Sequence, residues 1–404
     1  MVEHSSVRIS SLPERSYAAR RTIKLGLITD EFFDAHLGRL GGFGWAARQL
    51  GRIFNGDPSL GVELVYVAGE HLAQDGKTET SVHGSRVILR RPTRLGNLRA
   101  MQRERFDLLL TIDYNLGYSV YLRSLPRTPA IVWVRDPRTP DDAARINGVR
   151  IPGAEHEAPQ GLLSHDGTSL ARIARESSWT GRRLLLATPT PSLVAKLEGT
   201  YGVEPWDFYC LPNPILLDPP AVKKSARPTV VFLARLDPYK RPWLFAELAT
   251  YFPDVEFRFL GQSHFTGPGA WRPERLPPNV KLLGHVHEDE KLRLLSEAWV
   301  AINTSVHEGL AVSFLEALAC ETPLLSCVNT GFVVSRYGIY TGRFDGAGTE
   351  SIDAFRQGLE ALLGDEALRA RLGKSGREWV RSTHTRDTFI DAFHRLCDVA
   401  GVER

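Results

Sequence analysis

Two carboxylates and two cations in the second half of the sequence have the types and spacing for chemistry on a charged ligand. Glu308 and Glu316 lie eight residues apart in His307-Glu308-Gly309-Leu310-Ala311-Val312-Ser313-Phe314-Leu315-Glu316. Eight residues is a little over two helical turns, so one carboxylate can address an extended ligand from a loop and the other from the helix behind it. Gly309 permits close backbone approach, and the amides of Gly309, Leu310 and Ala311 at a helix start suit an anion or hydroxyl groups. Glu308 alone reads equally as a solvated loop residue. Glu316 does not, because Leu315, Ala317 and Leu318 surround it in an otherwise apolar helix. Arg235 and Lys240 follow the apolar run 229–234 (TVVFLA), at the carboxyl end of a strand, where open α/β sheets bind ligands. Two fixed cations there can neutralise a diphosphate that gains charge as the group it carries departs. Taken by itself, the Asp237-Pro238 turn gives a solvated loop equal standing.

The elements that must position these groups are short apolar runs alternating with helix-compatible segments. Ile23–Thr29 (IKLGLIT) has the form of a buried parallel strand. A long loop with Gly41, Gly42 and Gly44 leads into the segment 45–54 (WAARQLGRIF), whose spacing gives one apolar helical face. Further strand-like runs stand at 62–68, 107–112, 130–134 and 184–187, and a second series at 229–234, 255–260, 280–283, 299–303 and 323–326. This alternation predicts an α/β chain that repeats one parallel-sheet architecture twice, divided near residue 215 after Pro212-Asn213-Pro214. The expected domains are 1–214 and 215–385, with a terminal helix in 386–404. In the long connection 136–182 only residues 170–177 read as helical.

In order along the chain, Gly41-Gly42-Phe43-Gly44, Pro212-Asn213-Pro214, Arg235 with Lys240, Gly284-His285-Val286, the Glu308 to Glu316 spacing and a helical tail resemble the family 4 retaining glycosyltransferases of the GT-B fold. The resemblance implies two facing Rossmann-like domains with a cleft between them and a C-terminal helix crossing back to the first. It implies a nucleoside-diphosphate sugar as co-substrate, an acceptor hydroxyl, and neither a metal nor another cofactor. Arg235 and Lys240 then hold the leaving diphosphate, Glu308 the sugar hydroxyls and Glu316 the ribose. Gly42, Gly44, Gly284, His285, Val286, Gly309, Leu310 and Ala311 complete the donor site. Where relatives often carry a sugar-contacting His, this sequence has Trp133-Val134-Arg135-Asp136, which makes Arg135 and Asp136 sugar-side candidates, with a structural Arg–Asp pair as the safer reading.

Gly42-x-Gly44-x-x-Ala47 also fits a dinucleotide fingerprint, which keeps an NAD(P)-dependent oxidoreductase as the alternative; against it, about a dozen residues separate the glycines from the first strand. A nucleotide-sugar-binding protein without turnover would use nearly the same residues. The net charge of +3 over 404 residues names no partner. Local charge is more informative: Arg86, Arg90, Arg91, Arg94, Arg99, Arg103 and Arg105 are opposed only by Glu104, giving either a solvated helix face or a surface for anionic lipid or an acidic acceptor. Nothing interleaves aromatic residues with these arginines, which disfavours nucleic acid. Four scattered cysteines and no apolar run near the ~20 residues of a membrane span predict a cytoplasmic protein with reduced thiols, at most peripheral to a membrane.

Overall fold

The computed structural model describes residues 21–34, 37, 41–73, 76–157, 168–203, 208–217, 219, 221–263 and 269–403. The chain divides into two compact units. One comprises Met1–Arg135, Asp166–Pro212 and Phe389–Arg404, the other Asp136–His165 and Asn213–Thr388.

The first unit is built on an eight-stranded sheet: β1 (Ile23–Thr29), β2 (Val62–Leu72), β3 (Glu79–Val82), β4 (Ser85–Arg90), β5 (Leu108–Ile112), β6 (Ala130–Trp133), β7 (Leu184–Thr188) and β8 (Phe208–Cys210). Their order is β3-β4-β2-β1-β5-β6-β7-β8, parallel except for the β3–β4 hairpin. The apolar runs are buried on both faces, as parallel strands under helices must be. The helix Gly42–Gly56 packs Trp45, Leu50, Ile53 and Phe54 inward. Phe54 meets Phe389 and Phe393 of the last helix, Arg386–Ala400, at centroid distances of 6.3 and 5.2 Å, and Trp133 meets Phe389 at 5.7 Å.

The second unit's sheet has β9 (Thr229–Leu233), β10 (Glu256–Leu260), β11 (Val280–Leu282), β12 (Val300–Asn303), β13 (Leu324–Ser326) and β14 (Gly338–Tyr340), all parallel, in the order β11-β10-β9-β12-β13-β14. Each sheet therefore reverses its strand order once, between β1 and β5 and between β9 and β12. Ligands of open α/β sheets bind at the carboxyl ends of such strand pairs.

Three features differ from the sequence reading. Residues 136–165 belong with the second unit because Ile146, Val149 and Ile151 join its core beside Phe257, Phe259 and Trp271. That connection holds a second helix, Pro140–Asn147, started by a reciprocal cap in which Thr139 and Asp142 exchange side chain-to-backbone hydrogen bonds of 3.2 Å. The arginine stretch is not one helix face: Arg86 and Arg90 lie on β4, whereas Arg94, Arg99 and Arg103 lie on the helix Arg94–Glu104.

Candidate active site

The candidate site forms where β9 and β12 end. Beyond β9 the chain makes a single 3-10 turn, Pro238–Lys240, and enters the helix Pro242–Ala249 through Arg241, whose φ of 50° is left-handed. Arg241 is fully buried. Its guanidinium donates to the carbonyls of Thr304, Ser305 and Phe344, at 2.7, 3.2 and 3.0 Å, and Thr304 Oγ1 donates back to the carbonyls of Lys240 and Arg241. A buried cation spread over several carbonyls ties the β9 turn to the loop after β12, which fixes Lys240 relative to Glu308.

Three donors converge on Glu308 Oε1: Lys240 Nζ at 2.7 Å, Asn303 Nδ2 at 3.0 Å and Ser305 Oγ at 2.7 Å. Oε2 receives none of them. Burial alone would raise the Glu308 pKa, but the Lys240 charge and these hydrogen bonds outweigh it and hold the carboxyl below its ordinary value. The same balance acts on Lys240, where burial favours the neutral amine and the Glu308 carboxylate overrides it. Tyr239 stands between the cations. Its ring lies 4.7 Å from Lys240 Nζ, and its hydroxyl accepts a 2.5 Å hydrogen bond from Arg235, which also pairs with the buried Asp237 at 2.9 Å.

Glu316 is buried on the helix Val312–Ala319 and meets Lys291 Nζ at 2.5 Å. The amides that open this helix follow Ala311, which offers no side-chain cap. Gly309, Leu310 and Ala311 precede them in a buried loop. His307, also buried, points the other way: Nε2 lies 2.9 Å from Asp136 Oδ1 and Nδ1 3.1 Å from Asp142 Oδ1. An imidazole facing carboxylate oxygens on both nitrogens donates to both only as the imidazolium. Burial opposes ionisation of Asp136, yet Arg138 and His307 keep its carboxyl well below the usual range.

The structure thus brings Lys240 and Glu308 together, with Arg235 joined to the same turn through Tyr239. Gly284 adopts φ 65° just beyond β11, and its carbonyl accepts from Gly261 N at 2.7 Å; His285 faces His287, and Val286 is buried. Gly261 has no alternative, because a Cβ there would sit 1.9 Å from the Ala234 carbonyl oxygen. In the first unit Gly42 and Gly44 open a helix, with Glu31 Oε2 accepting from Gly44 N at 3.2 Å. Arg135 donates to the Gly42 carbonyl at 2.8 Å and covers the Trp133 ring at 4.8 Å, while Asp136 takes Arg138 and His307. Sequence reasoning passed over Arg241, Lys291, Asn303, Ser305 and Asp142, the second partner of His307. The Thr139-x-x-Asp142 cap was the one local signal available for any of them.

A family model for glycosyl transferases group 1 matches residues 217–379. Three solved structures share the fold along nearly the whole chain. Sucrose-phosphate synthase from Thermosynechococcus elongatus superposes with a TM-score of 0.66 at 17% identity, covering 93% of this chain and 98% of its own. Anabaena HepE in complex with UDP-glucose gives 0.63 at 13% identity, covering 94% and 99%. The pneumococcal O-GlcNAc transferase GtfA, in complex with UDP and GlcNAc, gives 0.65 at 9% identity, covering 94% and 99%. With its two parallel-sheet, Rossmann-like units, the chain has the GT-B fold, and its residues 217–379 match the glycosyl transferases group 1 model.

Proposed function

We propose that the chain is a retaining glycosyltransferase that moves a sugar from a nucleoside-diphosphate sugar to an acceptor hydroxyl without a metal. The observation that carries this reading is the buried Lys240–Glu308 pair, linked through Tyr239 to Arg235, at the β9/β12 strand ends of the group 1 segment. The structures of Anabaena HepE with UDP-glucose and of GtfA with UDP and GlcNAc support a uridine diphosphate sugar as the first donor to test. As the bond from sugar to diphosphate lengthens, negative charge grows on the leaving phosphate oxygens. Lys240 and Arg235 stabilise that charge in a site already organised to hold it. Glu308 accepts from a sugar hydroxyl, and the amides that follow Gly309 hydrogen-bond the donor. The acceptor hydroxyl attacks from the face the diphosphate leaves and gives its proton to a donor phosphate oxygen, so no protein nucleophile is required. Glu316 holds the ribose, with Lys291 orienting its carboxylate.

A thermal-shift panel of nucleotide sugars, NAD and NADP, run with and without EDTA, tests the reading. A cognate donor at a hundred times its dissociation constant should add about 2.7 kcal/mol of stability. Turnover should survive chelation. Stabilisation by NAD or NADP alone would transfer the chain to the oxidoreductases, and activity lost in EDTA but restored by manganese would reject metal independence.

A further inference from the structure

We infer that the first unit carries a pocket for a phosphoryl group, built from Arg90, Arg91 and Arg94. These residues line a cavity of about 340 Å³ beside the ends of β2 and β4, together with Glu70 and Asn97. The arginine stretch divides here. Arg86 is neutralised by Glu104 and Glu79 at 2.5 and 3.1 Å. Among the described residues no carboxylate pairs with Arg90, Arg91 or Arg94; Arg90 makes one 3.3 Å contact to the Gly69 carbonyl, and Arg91 Nη1 is buried with no hydrogen-bond partner. A buried guanidinium nitrogen without an acceptor carries a cost that a bound anion removes.

The backbone around the pocket is fixed. Asn97, buried on the helix Arg94–Glu104, accepts from Arg91 N at 2.8 Å and donates to the carbonyls of Arg91 and Thr93, both at 2.9 Å. Thr93 caps the same helix through Gly96 N at 3.0 Å. A Cβ at Gly96 would lie 2.9 Å from the Arg91 Cβ, so glycine is what lets the arginine turn sit against the helix. Three planar forks against a single carboxylate, Glu70, exceed what a monoanionic carboxylate ligand needs and match a phosphomonoester dianion. Leu72, half exposed, lines the same cavity, so the phosphoryl group can come from a soluble phosphate ester or from a lipid headgroup. Assigning that group to the acceptor rests on the transferase reading; binding itself does not.

The test is equilibrium binding of glycerol 3-phosphate, with glycerol as the neutral control, and of vesicles containing phosphatidic acid against neutral vesicles. The proteins are the full chain and its Arg91→Ala, Arg94→Ala, Arg91→Lys and Lys240→Ala variants. One phosphate probe should bind, weaken by about tenfold or more in each Arg→Ala variant, recover only partly in Arg91→Lys, and hold in Lys240→Ala. Binding to vesicles alone identifies a headgroup, and binding to glycerol 3-phosphate identifies a soluble ester. Arg94 is exposed, so its variant reports on the pocket without risk to folding. No binding by either probe, or binding that the Arg→Ala variants leave intact, overturns the pocket. A chain that binds uridine diphosphate but no phosphate probe loses the pocket and keeps the transferase reading, and the reverse result does the opposite.

Discussion

The two sheets reverse their strand order at equivalent places, yet the groups that follow those strands differ: paired cations and carboxylates in one, carboxylates in the other. After β9 and β12 come two ion pairs, Arg235 with Asp237 and Lys240 with Glu308. After β1 and β5 come Asp30, Glu31 and Asp113, with Asn115 donating to Asp30. One topology thus presents two sets of strand ends, and the loops decide which groups stand there. The glycine-rich helix start of the first unit has the geometry that elsewhere receives a phosphate, but here its Gly44 amide already holds a carboxylate from the same chain. The second unit has its paired cations and a helix without a side-chain cap at the corresponding strand ends. Under the proposed transferase reading the diphosphate falls to the second unit, while in the first unit Glu31 and Asp30 are engaged by Gly44 and Asn115.

The largest effect should come from the ion-paired side. Glu308→Ala should lower kcat by about 10²- to 10³-fold, the scale of losing one preorganised stabilising group, and weaken free uridine diphosphate much less. Calorimetry beside initial rates separates the two, and a mutant with normal kcat and poor nucleotide binding would reverse the role. Lys240→Ala leaves the Glu308 carboxylate buried without its cation, for about 3–5 kcal/mol of lost stability at neutral pH. Glu308 titrates below its ordinary value in the fold, so the pair's contribution is complete above about pH 4.5 and is lost as pH falls through the depressed value. Wild-type and mutant melting curves should therefore converge in acid, and a gap that persists there would locate the loss elsewhere.

Glu316 sharpens the comparison less severely. If it holds the ribose, the contact exists equally in ground and transition states, and Glu316→Ala should raise the donor KM roughly ten- to hundredfold with kcat nearly kept. Lys291→Ala in a double-mutant cycle shows how much of that depends on the buried ion pair. Unchanged affinity for the nucleoside diphosphate in Glu316→Ala would end the ribose assignment.

The smallest effect is expected at the first unit. Glu31→Gln removes the charge held at the glycine loop, and if donor phosphate shares that loop the donor KM should fall by roughly two- to fivefold, the worth of one charge at a helix start. An unchanged KM would separate Gly42 and Gly44 from the donor.

The buried parallel strands were legible because an apolar run needs no knowledge of its neighbours. β4 was not, because Arg86 and Arg90 flank Val87, Ile88 and Leu89 and the run reads as part of a basic stretch. β8 (FYC) and β14 (GIY) were missed because neither stands in an aliphatic run like those that marked the equally short β11 and β13. That Lys240 and Glu308 both lie just beyond strands of one sheet was legible; that they pair with each other was not. Arg241 did not follow, since a basic residue after a surface turn looks solvated until the carbonyls of Thr304, Ser305 and Phe344 are in place around it. Lys291 sits in EDEKLRLLSE, where nothing local separates a lysine buried on Glu316 from its exposed neighbours. Such residues are defined by partners distant in sequence.

Neither unit is a continuous piece of chain, and that has a consequence for how the protein is made. The core around Phe54 and Trp133 is closed by Phe389 and Phe393, which a ribosome delivers only after the whole second unit has been synthesised. The first unit must wait, with part of its apolar surface open, while the second completes its own core around Phe257, Phe259 and Ile146. Contacts that span so much sequence are slow to close, and exposed apolar surface in the interval invites aggregation. During translation the natural order is therefore inverted: the unit that begins first is finished last, and it is the one expected to need a chaperone.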